Sequence, residues 1–155
     1  MRLASLAPGV RVSVLAQDTR VPNRDECRKL GQGAHQLALV REVILHAHGM
    51  PVVFAHSVTG RRDIRGAWRN LRSLGNRPLA EALFADPRVR REAPEFMRID
   101  ARHPLWRPAR RVIARDMPAL WARRSRFVRR GRPLLVTEVF LPALLELAQS
   151  SPEAA

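Results

Sequence analysis

The chain has 155 residues, 46% of them hydrophobic, and no run of about 18 apolar residues that could cross a membrane as a helix. Its one cysteine, Cys27, excludes an internal disulfide and a zinc site of the Cys-x-x-Cys kind. The formal charge of +14 would suit a nucleic-acid partner, but the basic residues are arginines except for Lys29, they spread from Arg2 to Arg132, and tyrosine is absent, which leaves few platforms for bases to stack on.

A chain of this length buries roughly 70% of the surface its unfolded form exposes, enough for one domain with a small pocket. The first residues, MRLASLAPGVRV, lack the apolar stretch of a secretion signal, so the protein is expected to be soluble and cytoplasmic. Val10 to Gln17 alternates as a strand does. Asp18 to Gly33 is polar, with Pro22, Gly31 and Gly33, and reads as a surface connection. Gln36 to His46 and Pro51 to Val58 are rich in Val, Leu and Ile and flank a short turn signal, which predicts an antiparallel hairpin. Ala67 to Leu74 and Pro78 to Phe84 have helical spacing. Asp86 to Pro118 is Arg-rich, holds five prolines, and shows no clear period. Leu120 to Arg130 and Pro133 to Leu141, joined through Gly131, predict a second hairpin. Strands at the start, middle and end with helices between them indicate an α+β fold, a single domain with helices packed on an antiparallel sheet. The domain is expected over residues 1–145, with residues 146–155 as a disordered tail.

Two charges stand inside apolar strands. Side chains alternate along a strand, so Arg41 shares a face with Leu39, Val43 and Leu45, and Glu138 shares one with Leu134, Val136 and Phe140. Burying either one without a partner is costly. The pattern allows a structural ion pair between them, or between Arg41 and another acid. It equally allows a closed pocket in which Arg41 grips a carboxylate and Glu138 meets a hydroxyl or a proton.

Other candidates are weaker. His46, His48 and His56 could meet around the first hairpin, but with no acid or cysteine beside them they read as surface histidines. Cys27 lies in a polar stretch without a neighbouring histidine, which argues against a catalytic thiol. Gly31-Gln32-Gly33 is too short for a phosphate loop. Arg61-Arg62 reads as solvated charge, whereas one of Arg123 and Arg124, in a strand beside Trp121, must point inward or pack against the indole.

Four segments, taken together, resemble the chorismate pyruvate-lyase family, which forms 4-hydroxybenzoate for ubiquinone. They are VREVIL (40–45) with Gly49 and Pro51, LGNRPL (74–79) with Leu83-Phe84, LWARRS (120–125), and GRPLLVTEVFLP (131–142), in the family's order across Val10 to Pro142. The resemblance implies a monomeric α+β domain with an antiparallel sheet, no metal and no organic cofactor. It places the arginine that holds the ring carboxylate on Arg41 and the glutamate that contacts the ring hydroxyl on Glu138. A backbone amide that meets the same hydroxyl falls on Leu79, here followed by Ala80 where the family has glycine. The resemblance also implies a helix before the first strand, and residues 1–6 are expected to correspond to the end of that helix.

The implied reaction removes the enolpyruvyl ether of chorismate together with the C4 hydrogen, giving 4-hydroxybenzoate and pyruvate. The enolpyruvyl carboxylate calls for a second cation, for which Arg123 and Arg124 are the candidates. A non-catalytic domain of the same fold that binds small aromatic acids is the alternative, since some transcription regulators carry effector domains of similar fold.

Overall fold

The computed structural model describes residues 9–150. Seven antiparallel strands form one sheet: β1 (Arg11–Arg20), β2 (Ala38–Ala47), β3 (Met50–Gly60), β4 (Val89–Arg91), β5 (Glu95–Ile99), β6 (Leu120–Arg129) and β7 (Arg132–Phe140). Their spatial order is β1-β2-β3-β7-β6-β4, and β5 pairs with β6 further along the edge that β4 also uses. Both expected hairpins form. Each turns on two residues with positive φ, His48-Gly49 and Arg130-Gly131, whose twist matches that of the flanking strands.

Strand alternation sorts the side chains onto two faces, and different elements cover each. On one face, α1 (Arg24–Leu30) packs through Leu30 against Val40, Val58 and Leu135. Beside it, α3 (Trp106–Arg110) packs through Trp106 and Ala109 against Ile44, Phe54, Ala122 and Val139. On the other face, two 3-10 segments (Asp63–Arg65 and Arg69–Ser73) and α2 (Leu79–Ala85) bring Ile64, Trp68, Leu71 and Leu83 onto Leu39, Phe127, Leu134 and Val136. At the far end of this second face, α4 (Pro142–Ser150) covers Val43, Val53 and Ala55 with Leu144. The middle of the second face lies open between α2 and α4.

Three expectations are corrected, and one stretch without a legible pattern is resolved. Asp18 to Gly33 is not all connection: β1 runs on to Arg20, and α1 forms because Asn23 and Glu26 make a reciprocal capping box and Gly31 closes the helix in the left-handed region. Ala67 to Leu74 is tighter than an α-helix, since its regular part is the 3-10 segment Arg69–Ser73. Asp86 to Pro118 holds β4, β5 and α3, elements of three to five residues. Residues 146–150 are helical rather than a tail, because Leu144 and Leu147 lie one turn apart and both pack on the sheet. The segment corresponding to the family's first helix falls in residues 1–8, outside the described residues, as does 151–155.

Candidate active site

Register decides which side chains share the open middle of the second face. Arg41 lies opposite Ser57, Ser57 opposite Val136, and Val136 opposite Ser125. Two residues further along, Val43, Ala55, Glu138 and Arg123 form the next row across the same four strands. With Leu45 and Phe127 beside these rows and Pro78, Leu79, Leu83 and Phe84 above them, they enclose a cavity of about 100 Å³. Its walls are mostly apolar, and its charged groups are Arg41, Arg91, Arg123 and Glu138.

Arg41 is only 4% exposed. Its Nη2 donates to the carbonyl of Gly75 at 2.8 Å and to that of Arg77 at 3.4 Å, so it ties down the loop leading into α2. Its Nε has no hydrogen-bond partner among the described residues. Burial holds its pKa below the ordinary arginine value. A buried guanidinium bonded to carbonyls, with an N–H unspent, is an incomplete arrangement that an anion in the cavity would complete.

The ion pair allowed between Arg41 and Glu138 is not formed. Two strand spacings and two residues separate them, which puts their Cα atoms about 12 Å apart. Glu138 pairs instead with Arg123, its cross-strand neighbour, whose Nε and Nη2 donate to Oε1 at 3.1 and 2.8 Å. Arg123 therefore fixes the carboxylate in place. Arg41 and the Arg123–Glu138 pair stand as two separate sockets in one apolar chamber. Leu79, the first residue of α2, lines the same chamber.

Arg124 is not part of it. As the next residue along β6 it points to the opposite face, where it pairs with Asp25 of α1 and, at 2.8 Å, with Glu95 of β5. Arg91, unremarked in the sequence, does line the cavity. It stands on β4 opposite Phe127, with Nη2 donating to the Ser125 hydroxyl at 3.0 Å and its guanidinium 5.7 Å from the Phe127 ring centroid. No periodic pattern surrounds it, so composition alone could not separate it from its arginine neighbours.

The expectation of surface histidines fails for His56, which is buried behind the cavity floor on the other face. Its Nδ1 lies 2.9 Å from Glu42 and its Nε2 lies 2.7 Å from Glu26, the second contact lying off the N–H axis and acting as a charge contact. Burial alone would lower its pKa, but contact with the two carboxylates outweighs burial and raises it to about 9. Cys27 is likewise buried, on α1, where burial first and Glu26 second push its thiol pKa up. A raised pKa leaves the thiol protonated and unreactive.

This arrangement sits in a chain that matches the chorismate lyase family over residues 1–149. The protein belongs to that family. A probable chorismate pyruvate-lyase of Aromatoleum aromaticum is 50% identical over 148 residues, which cover 94% of this chain and 80% of that one. A second, from Thiobacillus denitrificans, is 50% identical over 144 residues, covering 93% of this chain and 77% of its own. Among solved structures, the ligand-binding domain of a putative GntR-family transcriptional regulator from Bordetella bronchiseptica superposes with a TM-score of 0.63 at 18% identity, over 87% of this chain and 86% of that one. At that identity the likeness concerns the fold alone. No helix among the described residues is long and apolar enough to cross a membrane.

Proposed function

We propose that the protein is a chorismate pyruvate-lyase that eliminates pyruvate from chorismate and leaves 4-hydroxybenzoate, acting as a cytoplasmic monomer at the first committed step towards ubiquinone. The observation that carries this reading is the buried Arg41, which lines the same apolar chamber as a glutamate already fixed by Arg123 and whose Nε has no hydrogen-bond partner among the described residues. A ring with a carboxylate at one end and a hydroxyl at the other fits two such sockets. Arg41 takes the ring carboxylate, and Glu138 with the Leu79 amide takes the hydroxyl.

The reaction breaks the C3–O ether bond and the C4–H bond. The electron pair from C4–H closes the aromatic ring, and the ether oxygen leaves with its own pair as enolpyruvate, which becomes pyruvate on gaining the proton. Aromatisation makes this strongly downhill. The protein has to hold the reactive conformer, exclude water and support charge moving towards the departing oxygen. Arg41 and Glu138 do this by fixing the ring at both ends. Incubation of purified protein with chorismate is expected to yield 4-hydroxybenzoate and pyruvate in equal amounts. Tight binding of 4-hydroxybenzoate with no turnover would instead mark a domain that only binds aromatic acids.

A further inference from the structure

Arg41 has no complete fork left for a carboxylate. Its Nη2 already donates to the carbonyls of Gly75 and Arg77, at 2.8 and 3.4 Å. Either pair of parallel N–H groups that a guanidinium can offer, Nε with Nη2 or Nη1 with Nη2, includes that nitrogen. A carboxylate has two oxygens to satisfy, so one of them needs a donor from another residue.

Ser57 stands where that donor is needed. It lies directly opposite Arg41 in the pairing of β2 with β3, and cross-strand partners have Cα atoms about 4.5–5.5 Å apart. Both residues line the chamber, and both also border a smaller space of about 10 Å³. Ser57 is 7% exposed and carries the one hydroxyl among the residues that line the chamber. Among the described residues this hydroxyl has no hydrogen-bond partner, and it is not sealed in the packing, so it opens on the chamber. Thr59, two residues along the same strand, spends its own hydroxyl on the carbonyl of Pro133 at 3.2 Å. A nearly buried hydroxyl left unbonded is costly, and a ligand oxygen would satisfy it.

We propose that Ser57 donates to one oxygen of the ring carboxylate while Arg41 donates to the other, an assignment that rests on the reading of Arg41 as the carboxylate socket. Ser57 thereby selects aromatic acids over neutral phenols. A ring without the carboxylate leaves both donors unpaired.

The test compares two ligands, with Kd values from NMR titration. Ser57→Ala is expected to raise the Kd of 4-hydroxybenzoate by about 10-fold, the effect of losing one hydrogen bond to a charged acceptor. The Kd of phenol, which has the hydroxyl but no carboxylate, should stay within about twofold. Ser57→Thr keeps the donor and should bind 4-hydroxybenzoate as wild type does. Because the hydroxyl has no partner among the described residues, Ser57→Ala without ligand should melt at the wild-type temperature. An affinity for 4-hydroxybenzoate within twofold of wild type in Ser57→Ala, or equal weakening of both ligands, would overturn the assignment. The chorismate reading fails separately, through absence of turnover by wild-type protein, and the binding comparison still decides the role of Ser57.

Discussion

Arg41 carries two duties in one side chain. Nη2 satisfies the carbonyls of Gly75 and Arg77, and Nε, without a partner among the described residues, is on the proposed reading the donor for a ligand. The two duties separate by substitution. Arg41→Lys keeps a donor for the carbonyls but cannot form a planar fork, so 4-hydroxybenzoate affinity should fall by about 10- to 100-fold with little change in melting temperature. Arg41→Ala removes both and should also cost about 1–3 kcal/mol of stability through the unsatisfied carbonyls. Equal product affinity in wild type and Arg41→Lys, measured by calorimetry, would remove Arg41 from ligand binding. Glu138 is fixed by Arg123 at a single oxygen. Glu138→Gln preserves shape and should slow turnover by about 100-fold while leaving the fold intact, and an unchanged kcat would exclude the carboxylate from the reaction.

At the scale of elements, α1 is fastened by charges at the back of the sheet that supplies the site. His56 stands between Ala55 and Ser57, which line the cavity, and points the other way to Glu26 of α1 and Glu42 of β2. Its folded pKa of about 9 exceeds the unfolded value of 6.5, so the contribution is complete below pH 6.5 and is lost as pH rises through 9. Glu42 is shifted down despite its burial, which by itself would raise it, so its contribution is present at neutral pH and lost in acid. Stability measured by urea unfolding should therefore fall by on the order of 3 kcal/mol between pH 6.5 and 9.5, and His56→Gln should flatten that slope. A slope unchanged by the substitution would dissociate His56 from the effect. The sequence made the two long hairpins legible because ten-residue apolar strands meeting at glycine turns have few alternatives. It hid α1, whose signal was the Asn23–Glu26 capping box rather than an apolar stripe. It hid β4 and β5 because short edge strands carry charge instead of alternation. Arg41 and Glu138 were visible as charges among apolar neighbours, whereas choosing between Arg123 and Arg124 needed the register that puts Arg123 opposite Glu138. The acids beside His56 come from a neighbouring strand and from a helix thirty positions earlier, a meeting that only tertiary structure produces.

Across the whole molecule, the acidic residues are largely committed to particular arginines, as in Arg124 with Glu95, Arg126 with Glu92 and Arg129 with Asp86. The remaining arginines leave the surface strongly positive, in keeping with the net charge of +14. A doubly negative substrate approaching such a surface is drawn in, and salt screens that attraction beyond about 8–10 Å at physiological ionic strength. Raising ionic strength should therefore lower kcat/KM for chorismate while leaving kcat nearly constant. An equal fall in both would point to a salt effect inside the site rather than on approach. The most direct test of the account is the stoichiometry of the reaction itself. Purified protein, given chorismate, should release 4-hydroxybenzoate and pyruvate in a 1:1 ratio, and Arg41→Lys and Glu138→Gln should each reduce both products together. Wild-type protein that binds 4-hydroxybenzoate yet forms no aromatic product, even at enzyme concentrations comparable to substrate, would contradict it.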